Sequence, residues 1–312
     1  MKKGGGITKP FPFVYTRVVM ARDFSYGGQA VIEGVMIRGQ KAAVTAVRRP
    51  DGDLTTDVRS LAAIYTGRMR RTPLLRGIIV LIEAMVIGIR SLLYSANVAL
   101  EEEKEEISGK TVWVMIILSL ALAIVLFLIL PLFLTRLINS YIGSSLVFHL
   151  VEGFIRLVIF VAYLKLVGLM PDIRRIFTYH GAEHQAVNAY ESSMPMEVAA
   201  VRKFSTAHVR CGTGFLFVVL IIAIIVFALV GRPVLWIMVL SRFLLIPVIA
   251  ALGYEIIHFG ARHTGNILVR IALAPGLWLQ TLTTREPDDS QIEVALSALN
   301  KAIEIDQREE AT

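Results

Sequence analysis

His180, Glu183 and His184 stand in the order H-x-x-E-H within the stretch YHGAEHQAVNAYE, Tyr179 to Glu191. On a helix, residues i and i+4 lie about one turn apart, so the two imidazoles would share one face. Two ring nitrogens there can bind one metal ion at about 2.0–2.1 Å. Glu183 lies beside them and could take a proton from a water that the metal activates. H-x-x-E-H is the inverted zincin pattern, and its meaning depends on its context. The plainer alternative is a pair of histidines that hydrogen-bond only to headgroups or backbone. Gly181, between them, weakens a helix by about 1 kcal/mol relative to Ala.

Other residues add donors. His208 and Cys211 occur as HVRC just before an apolar run, and both are good zinc ligands. Glu255 and His258 are spaced i, i+3, a local likeness to the Glu-x-x-His element of di-iron bundles. The expected cofactor is therefore a divalent metal, zinc first. Its ligands would be His180 and His184, with His208 or Cys211 completing the set, and Glu183 would be the general base. Glu191, seven residues past His184, lies about 10 Å further along the axis and suits an outer supporting role. Glu255, His258 and His263 are further supporting residues or additional ligands. His149, alone near the other face of the membrane in the topology that the apolar runs imply, reads as a polar helix residue rather than a ligand. For Cys211, metal ligation ranks ahead of packing as a small core residue. Both rank ahead of a nucleophile activated at a helix start, because no acyl-transfer constellation surrounds it.

These groups must be positioned by an unusually apolar chain. The 312 residues are 55% hydrophobic, with mean hydropathy +0.64 and formal net charge +7. An ordinary soluble domain is less apolar. MKKGGGITKPFPF has a charged start but no apolar core of a signal peptide. The single cysteine excludes an internal disulfide. Four runs reach the roughly 20 residues that a bilayer needs: Val112 to Leu134, Ser144 to Met170, Thr213 to Val230 and Val234 to Ile257. Short links at Arg136 to Gly143 and Gly231 to Pro233 make them two hairpins. Fourteen Lys and Arg lie between Lys2 and Arg76, against one in each link. The positive-inside rule then puts both termini and the His-rich middle loop in the cytoplasm.

Leu74 to Leu100 is also apolar, but Arg76, Glu83 and Arg90 recur every seven residues and share one face. A helix along the cytoplasmic interface, or packed against the bundle, accommodates them better than a span. The acidic run EEEKEE, Glu101 to Glu106, reads as a solvated connector. Around Pro50-Asp51-Gly52, two short alternating runs signal a β-hairpin. The preceding GGQAVIEGVMIRG lacks a P-loop or dinucleotide spacing. Its glycines suggest tight turns and close packing, or a ligand-facing loop carrying Glu33 and Arg38. At the other end, Asp288, Asp289 and Ser290 start a helix whose Ile292, Ala295, Leu296, Leu299 and Ile303 form a docking stripe.

The expected fold is mainly α: a polytopic membrane bundle of about four spans with a small cytoplasmic α+β N-terminal region. Its parts are an N-terminal region (1–73), an interfacial helix and connector (74–110), a first membrane hairpin (111–170), a His-rich loop (171–212), a second hairpin (213–257) and a cytoplasmic tail (258–312). Within the spans, Glu152, Arg156 and Arg242 are expected to pair across helices, since a lone charge costs about 2.5–3.5 kcal/mol on insertion scales. The same charges could line a proton or ion path, but four spans without a broken-helix repeat suit a transporter poorly.

YGGQAVIEGVMIRG, YHGAEHQAVNAYE, HVRCGT and LWLQTLTTREPDDSQIEVAL together resemble the YqhQ-like family of bacterial integral membrane proteins. The likeness runs from about Ser25 to Ala302. It implies a multi-pass protein of the bacterial plasma membrane, in a family of unknown function with a suggested metal-dependent enzyme role. No substrate follows from it. The leading expectation is a metal-dependent membrane hydrolase at the cytoplasmic leaflet. The runner-up is a non-catalytic scaffold or regulator with a structural metal, and a transporter comes third. Membrane lipids are the expected partners. Self-association stays open, and no nucleic acid is expected, because orientation and anionic lipid account for the basic N-terminus.

Overall fold

A computed structural model describes residues 24–100 and 109–310, so the acidic run at Glu101 to Glu106 lies outside the described residues. Four strands form one antiparallel meander: β1 (Gly27–Val31), β2 (Gly34–Arg38), β3 (Ala42–Arg48) and β4 (Leu54–Ser60). The β3–β4 pair is the hairpin expected around Pro50-Asp51-Gly52. The Gly-rich stretch is a second hairpin rather than a ligand-facing loop. Its charged residues are tied up in the fold. Glu33, at the turn, pairs with Arg175 and accepts a hydrogen bond from Tyr179 Oη. Arg38 pairs with Glu83.

The remaining described elements are helices. They are α1 (Ala63–Thr66), α2 (Leu75–Ala99), α3 (Gly109–Ile124), α4 (Leu130–Leu137), α5 (Ser145–Val167), α6 (Pro171–Glu191), α7 (Val198–Val201), α8 (Gly212–Val230), α9 (Leu235–Leu244), α10 (Ile246–Arg262), α11 (Ile267–Thr283) and α12 (Asp289–Glu310). Four helical stretches are long and apolar enough to cross a bilayer: α2, the α3–α4 unit Gly109–Leu137, α5 and α8. The run from Val234 to Ile257, expected as one straight span, is instead α9 and α10 meeting at a 46° bend. Pro247 follows the break, has no N–H to give the preceding turn, and so favours a new helix start there.

The sheet is sandwiched, and its period-2 pattern explains how. Val35, Ile37, Val44 and Ala46 face one way and pack on α6 and α12. Met36, Ala43 and Val47 face the other way and meet Ile87 and Val98 of α2. Thr45 donates to Ser91 Oγ on that face at 2.9 Å, and Ser95 Oγ accepts from the Ile32 N–H. The inward face of α2 is thus matched to the sheet from Glu83 to Val98. Its N-terminal end packs on α10, where Gly77 lies against Ala251. The sheet is therefore not a unit of residues 1–73 alone, because α6 and α12 complete its core. The docking stripe of α12 is buried there, and Asp306 accepts from Tyr26 Oη and from the Gln40 and Lys41 N–H groups.

The apolar helices pack beside this unit. The Arg232 guanidinium donates to the Ile142 and Gly143 carbonyls, so the two short links lie side by side. Helix α11 differs from its expected place in a solvated tail. It packs along α8, with Gly276 against Gly214, and its other side exposes Ile267, Leu268 and Ile271.

Glu152, Arg156 and Arg242 form the buried network expected of them. Glu152 pairs with both arginines, and the Arg242 contact is 2.6 Å. His149 joins it at 3.3 Å and anchors its other ring nitrogen on the Gly231 carbonyl. Pro131 cannot donate to the Phe127 carbonyl four residues earlier, and a π turn at Val125–Ile129 marks the spot. Arg156 Nε occupies that carbonyl at 2.9 Å.

Asp306→Ala is expected to destabilise the protein by at least about 2 kcal/mol, since three donors lose a shared charged acceptor. The thermal midpoint of the purified protein in detergent should fall by several degrees. An unchanged midpoint would show that α12 contributes little to closing the sheet.

Candidate metal centre

Helix α6 carries the H-x-x-E-H pattern in its second half, and its buried face runs from Tyr179 to Ala189. The His180 and His184 rings lie on one side of it, with centroids 4.4 Å apart. Each ring is oriented by its Nδ1. His180 Nδ1 meets the Thr283 carbonyl at 2.8 Å, and His184 Nδ1 meets the Thr206 carbonyl at 2.6 Å. A carbonyl only accepts, so both Nδ1 atoms carry the proton and both Nε2 lone pairs are free. Metal-ligating histidines are usually held in this way.

Cys211 brings the third donor. It is the N-cap of α8, and its sulfur accepts from the Thr213 N–H. Its Sγ is 3.4 Å from His180 Nε2. Ligand atoms of His180, His184 and Cys211 all lie within 4.8 Å of one another. Zn–N and Zn–S bonds of about 2.0–2.3 Å arranged tetrahedrally place neighbouring donors about 3.3–3.7 Å apart. The observed 3.4 Å matches that edge. Two imidazoles and one thiol are also the donor chemistry that zinc prefers.

Glu183 sits between this cluster and the sheet. Its Oε1 accepts from the Gly28 N–H at 3.0 Å, while Oε2 lies 3.5 Å from His184 Nε2. The outer edge of β1 therefore holds one oxygen and leaves the other facing the cluster. Gly28 has no substitute in this register, since a Cβ would come within 1.8 Å of the Met36 carbonyl oxygen. Gly181, the helix-weakening residue, has its own reason. A Cβ there would lie 2.0 Å from the Arg285 carbonyl oxygen, in the segment that leads away from Thr283.

The electrostatics follow from burial. Burial raises the Glu183 carboxyl above its ordinary range, against the opposing pull of His180 and His208. Burial lowers His184 and His208, which favours neutral, ligating imidazoles. Burial alone would raise the Cys211 thiol, but His184 and the Thr213 N–H outweigh it and bring the thiol below its usual value.

The other predicted residues divide. His208 is adjacent, its ring centroid 5.7 Å from that of His184, but its Nε2 turns to Glu191 at 3.4 Å. Glu191 also pairs with Arg210, so it orders the loop rather than reaching the cluster. Glu255, His258 and His263 are not brought in. Glu255 faces α2, where it pairs with Arg76 and accepts from the Leu74 N–H. His258 stacks on Tyr254, and His263 folds back on Phe259 and its carbonyl. The i, i+3 spacing is real, but that face of α10 is turned to α2.

Several supporting residues escaped the sequence. Gln280 of α11 clamps the His208 backbone from both sides, at 2.9 Å each way. Thr283 supplies the carbonyl for His180, and its hydroxyl meets that of Thr213. The available signal was the polar interruption QTLTT within an otherwise apolar helix.

Long apolar helices fit a membrane protein, and this one carries a sheet-and-helix unit with a His-His-Cys cluster at its edge. The chain belongs to the family described as Protein of unknown function (DUF1385), which matches residues 72–305. It is similar to the uncharacterized protein YqhQ of Bacillus subtilis (strain 168), at 33% identity over 298 residues, covering 90% of this chain and 93% of that protein. No solved structure matches the chain.

If the cluster holds zinc, Cys211→Ser should weaken its binding by at least about tenfold, because a neutral hydroxyl would replace a thiolate donor. His208→Ala should leave zinc stoichiometry intact. Zinc titration of both variants reads this difference. The reverse result would make His208 the ligand and Cys211 a packing residue.

Proposed function

We propose that this chain is a metal-dependent membrane enzyme, a hydrolase working at the cytoplasmic face of the bacterial plasma membrane. His180, His184 and Cys211 would hold a divalent ion, zinc first, through Nε2, Nε2 and Sγ. The observation that carries the proposal is the turning of both imidazoles by backbone carbonyls so that their free nitrogens meet one thiol sulfur. When bound, the metal would supply Lewis acidity, lowering the pKa of water and polarising a substrate oxygen. The protein's own contribution is to hold and move the proton. Glu183 is fixed by the Gly28 N–H at one oxygen, and its other oxygen faces the cluster. Burial raises its affinity for a proton, which suits a general base. His208 and Glu191, joined to each other, order the HVRC loop that carries Cys211.

The orientation proposed is cytoplasmic for the sheet, the cluster and both termini. The two links joined through Arg232 would then face outward. Basic residues crowd the first part of the chain and are sparse in those links, as the positive-inside rule requires.

A second reading, a scaffold with a structural metal, is favoured by one observation. His184 and Cys211 are only 2% and 4% exposed, as in closed structural sites. The variants separate the two. His180→Ala and His184→Ala should each abolish stoichiometric metal in untagged protein. Glu183→Gln should retain metal and lose the ability to restore growth to a strain lacking its own copy. A structural site gives the opposite outcome: Glu183→Gln complements and the histidine variants are degraded. Metal-free wild-type protein with full function would defeat both readings.

Topology has a separate test. Cysteines introduced at Ser140 and Arg232 should react with an impermeant thiol reagent in intact cells, and cysteines at Lys41 and Gln291 should not. Labelling at Lys41 would place the sheet outside.

A further inference from the structure

Helix α11 has two faces, and the protein covers only one of them. Leu273, Gly276, Leu279, Gln280 and Thr283 are buried. Leu273 meets Gly260 of α10, Gly276 meets Gly214 of α8, and Leu279 packs with Phe160 and Leu164 near the end of α5. The opposite face carries Ile267, Ile271, Pro275 and Trp278, spaced i, i+4, i+8 and i+11, with Leu268 beside them. Ile267, Leu268, Ile271 and Trp278 are between 51% and 72% exposed. No charged residue lies on this strip.

The buried contacts fix where the helix lies. Gly214 is in the first turn of α8, Gly260 in the last turn of α10 and Leu164 in the last turn of α5. All three mark the end of the bundle that bears Cys211, away from the two short links. Helix α11 begins just after α10 ends, and it finishes at Thr283, whose carbonyl meets His180. Both of its ends are therefore at the same end of the bundle. Its 17 residues would also reach only about 25 Å, short of the hydrocarbon core. The helix runs across the end of the bundle rather than through the bilayer.

We propose that α11 lies in the plane of the membrane surface, with Ile267, Leu268, Ile271 and Trp278 set into the lipid at the headgroup boundary. The occupant follows from continuity. Ile256 and Phe259 of α10 and Leu216 of α8 are exposed at the same end of the bundle, on helices apolar enough to enter the bilayer. Helices that lie alone in the interface use Lys and Arg for their polar face. Helix α11 needs none, because its second face is packed on α8 and α10. Pro275 favours the boundary over the acyl interior. It has no N–H to give the Ile271 carbonyl, and a carbonyl without a donor is tolerated only where water or protein reaches it. Trp is enriched at this boundary. Thr283 lies five residues past Trp278, about 8 Å along the axis. The inserted strip thus holds the His180, His184 and Cys211 cluster at headgroup depth, whether or not the cluster is catalytic.

The chain has three tryptophans, so Trp113→Phe with Trp236→Phe leaves Trp278 as the sole indole reporter. The full-length variant is reconstituted in phosphatidylcholine vesicles that carry a nitroxide either near the headgroup or near the end of the acyl chain. The shallow label should quench Trp278 at least about twofold more than the deep one, as for a helix seated at the headgroup boundary. Stronger quenching by the deep label would overturn the proposal in favour of a re-entrant helix. Quenching by aqueous iodide but by neither lipid label would place the strip in water. Quenching by none of the three would mean that protein covers it, a second copy included, and would equally overturn the proposal. A second reporter leaves the tryptophans intact. Leu268→Cys carrying a nitroxide should collide more with oxygen than with a water-soluble nickel chelate, after subtraction of any label on Cys211, and the reverse preference would overturn the proposal.

Discussion

Two backbone carbonyls, those of Thr283 and Thr206, decide what the H-x-x-E-H pattern can do. Helical spacing brings the imidazoles to one face, but it does not choose which nitrogen points outward. The carbonyls do, by accepting the Nδ1 protons. Much of the surrounding structure serves to deliver them. Helix α11 must end at Thr283 beside α6, and that approach requires Gly181, because any Cβ there would meet the Arg285 carbonyl. The 205–211 loop must hold Thr206 over His184. Asn188 donates to the Ser205 and Ala207 carbonyls, and Gln280 grips the backbone of His208. The same grip sets Cys211 at the start of α8, where the helix dipole and the Thr213 N–H favour thiolate.

The apolar half obeys a harsher version of the same rule. Within it, a polar group left unpaired has no water to turn to. Arg156, Arg242, Glu152 and His149 are all nearly inaccessible, so each must find partners in the protein. Glu152 is shared between two arginines, and Phe227 takes both guanidiniums against its ring, at 5.5 and 4.6 Å. The irregular backbone is drawn into the network. The π turn before Pro131 leaves the Phe127 carbonyl for Arg156, and Arg242 sits just before the α9–α10 break. Removing one charge would strand another, which makes such clusters stringent determinants of helix pairing.

What the sequence disclosed depended on the range of each interaction. Local periodicities were legible: i, i+4 for His180 and His184, the β3–β4 hairpin, the apolar stripe of α12. Choices that depend on a neighbouring element were not. His208 and Cys211 lie three residues apart with comparable chemistry, and only the HVRC loop geometry turns one to Glu191 and the other to His180. Glu255 and His258 have ligand spacing, but α10 presents that face to Arg76 of α2, a partner 179 residues away. The β1–β2 hairpin was obscured because glycines interrupt its alternation, though Gly28 is there to let Met36 approach. Helix α11 was missed as an apolar element because it is only 17 residues long and contains Pro275.

The sheet also constrains how the molecule can assemble. β3 is buried along nearly all its length, covered by α2 on one face and α12 on the other. Strands completed within the first 60 residues therefore wait for a helix that begins at Asp289. Until then Val35, Ile37, Val44 and Ala46 lack the part of their apolar cover that α12 supplies. Closing contacts across such separations is slow, and the open intermediate exposes strand surface that can aggregate. The apolar helices lie between the two in sequence and bring their ends together. With the two links side by side, α5 and α10 both run back from them, toward the end of α8 that bears Cys211. Helix α6 then follows α5 directly, and α11 returns the chain to it at Thr283. The cluster forms where these ends meet, with its donors on α6 and at the start of α8 and one orienting carbonyl at the end of α11. A metal bound there would reward completed assembly, since the unfolded chain holds no such set of donors.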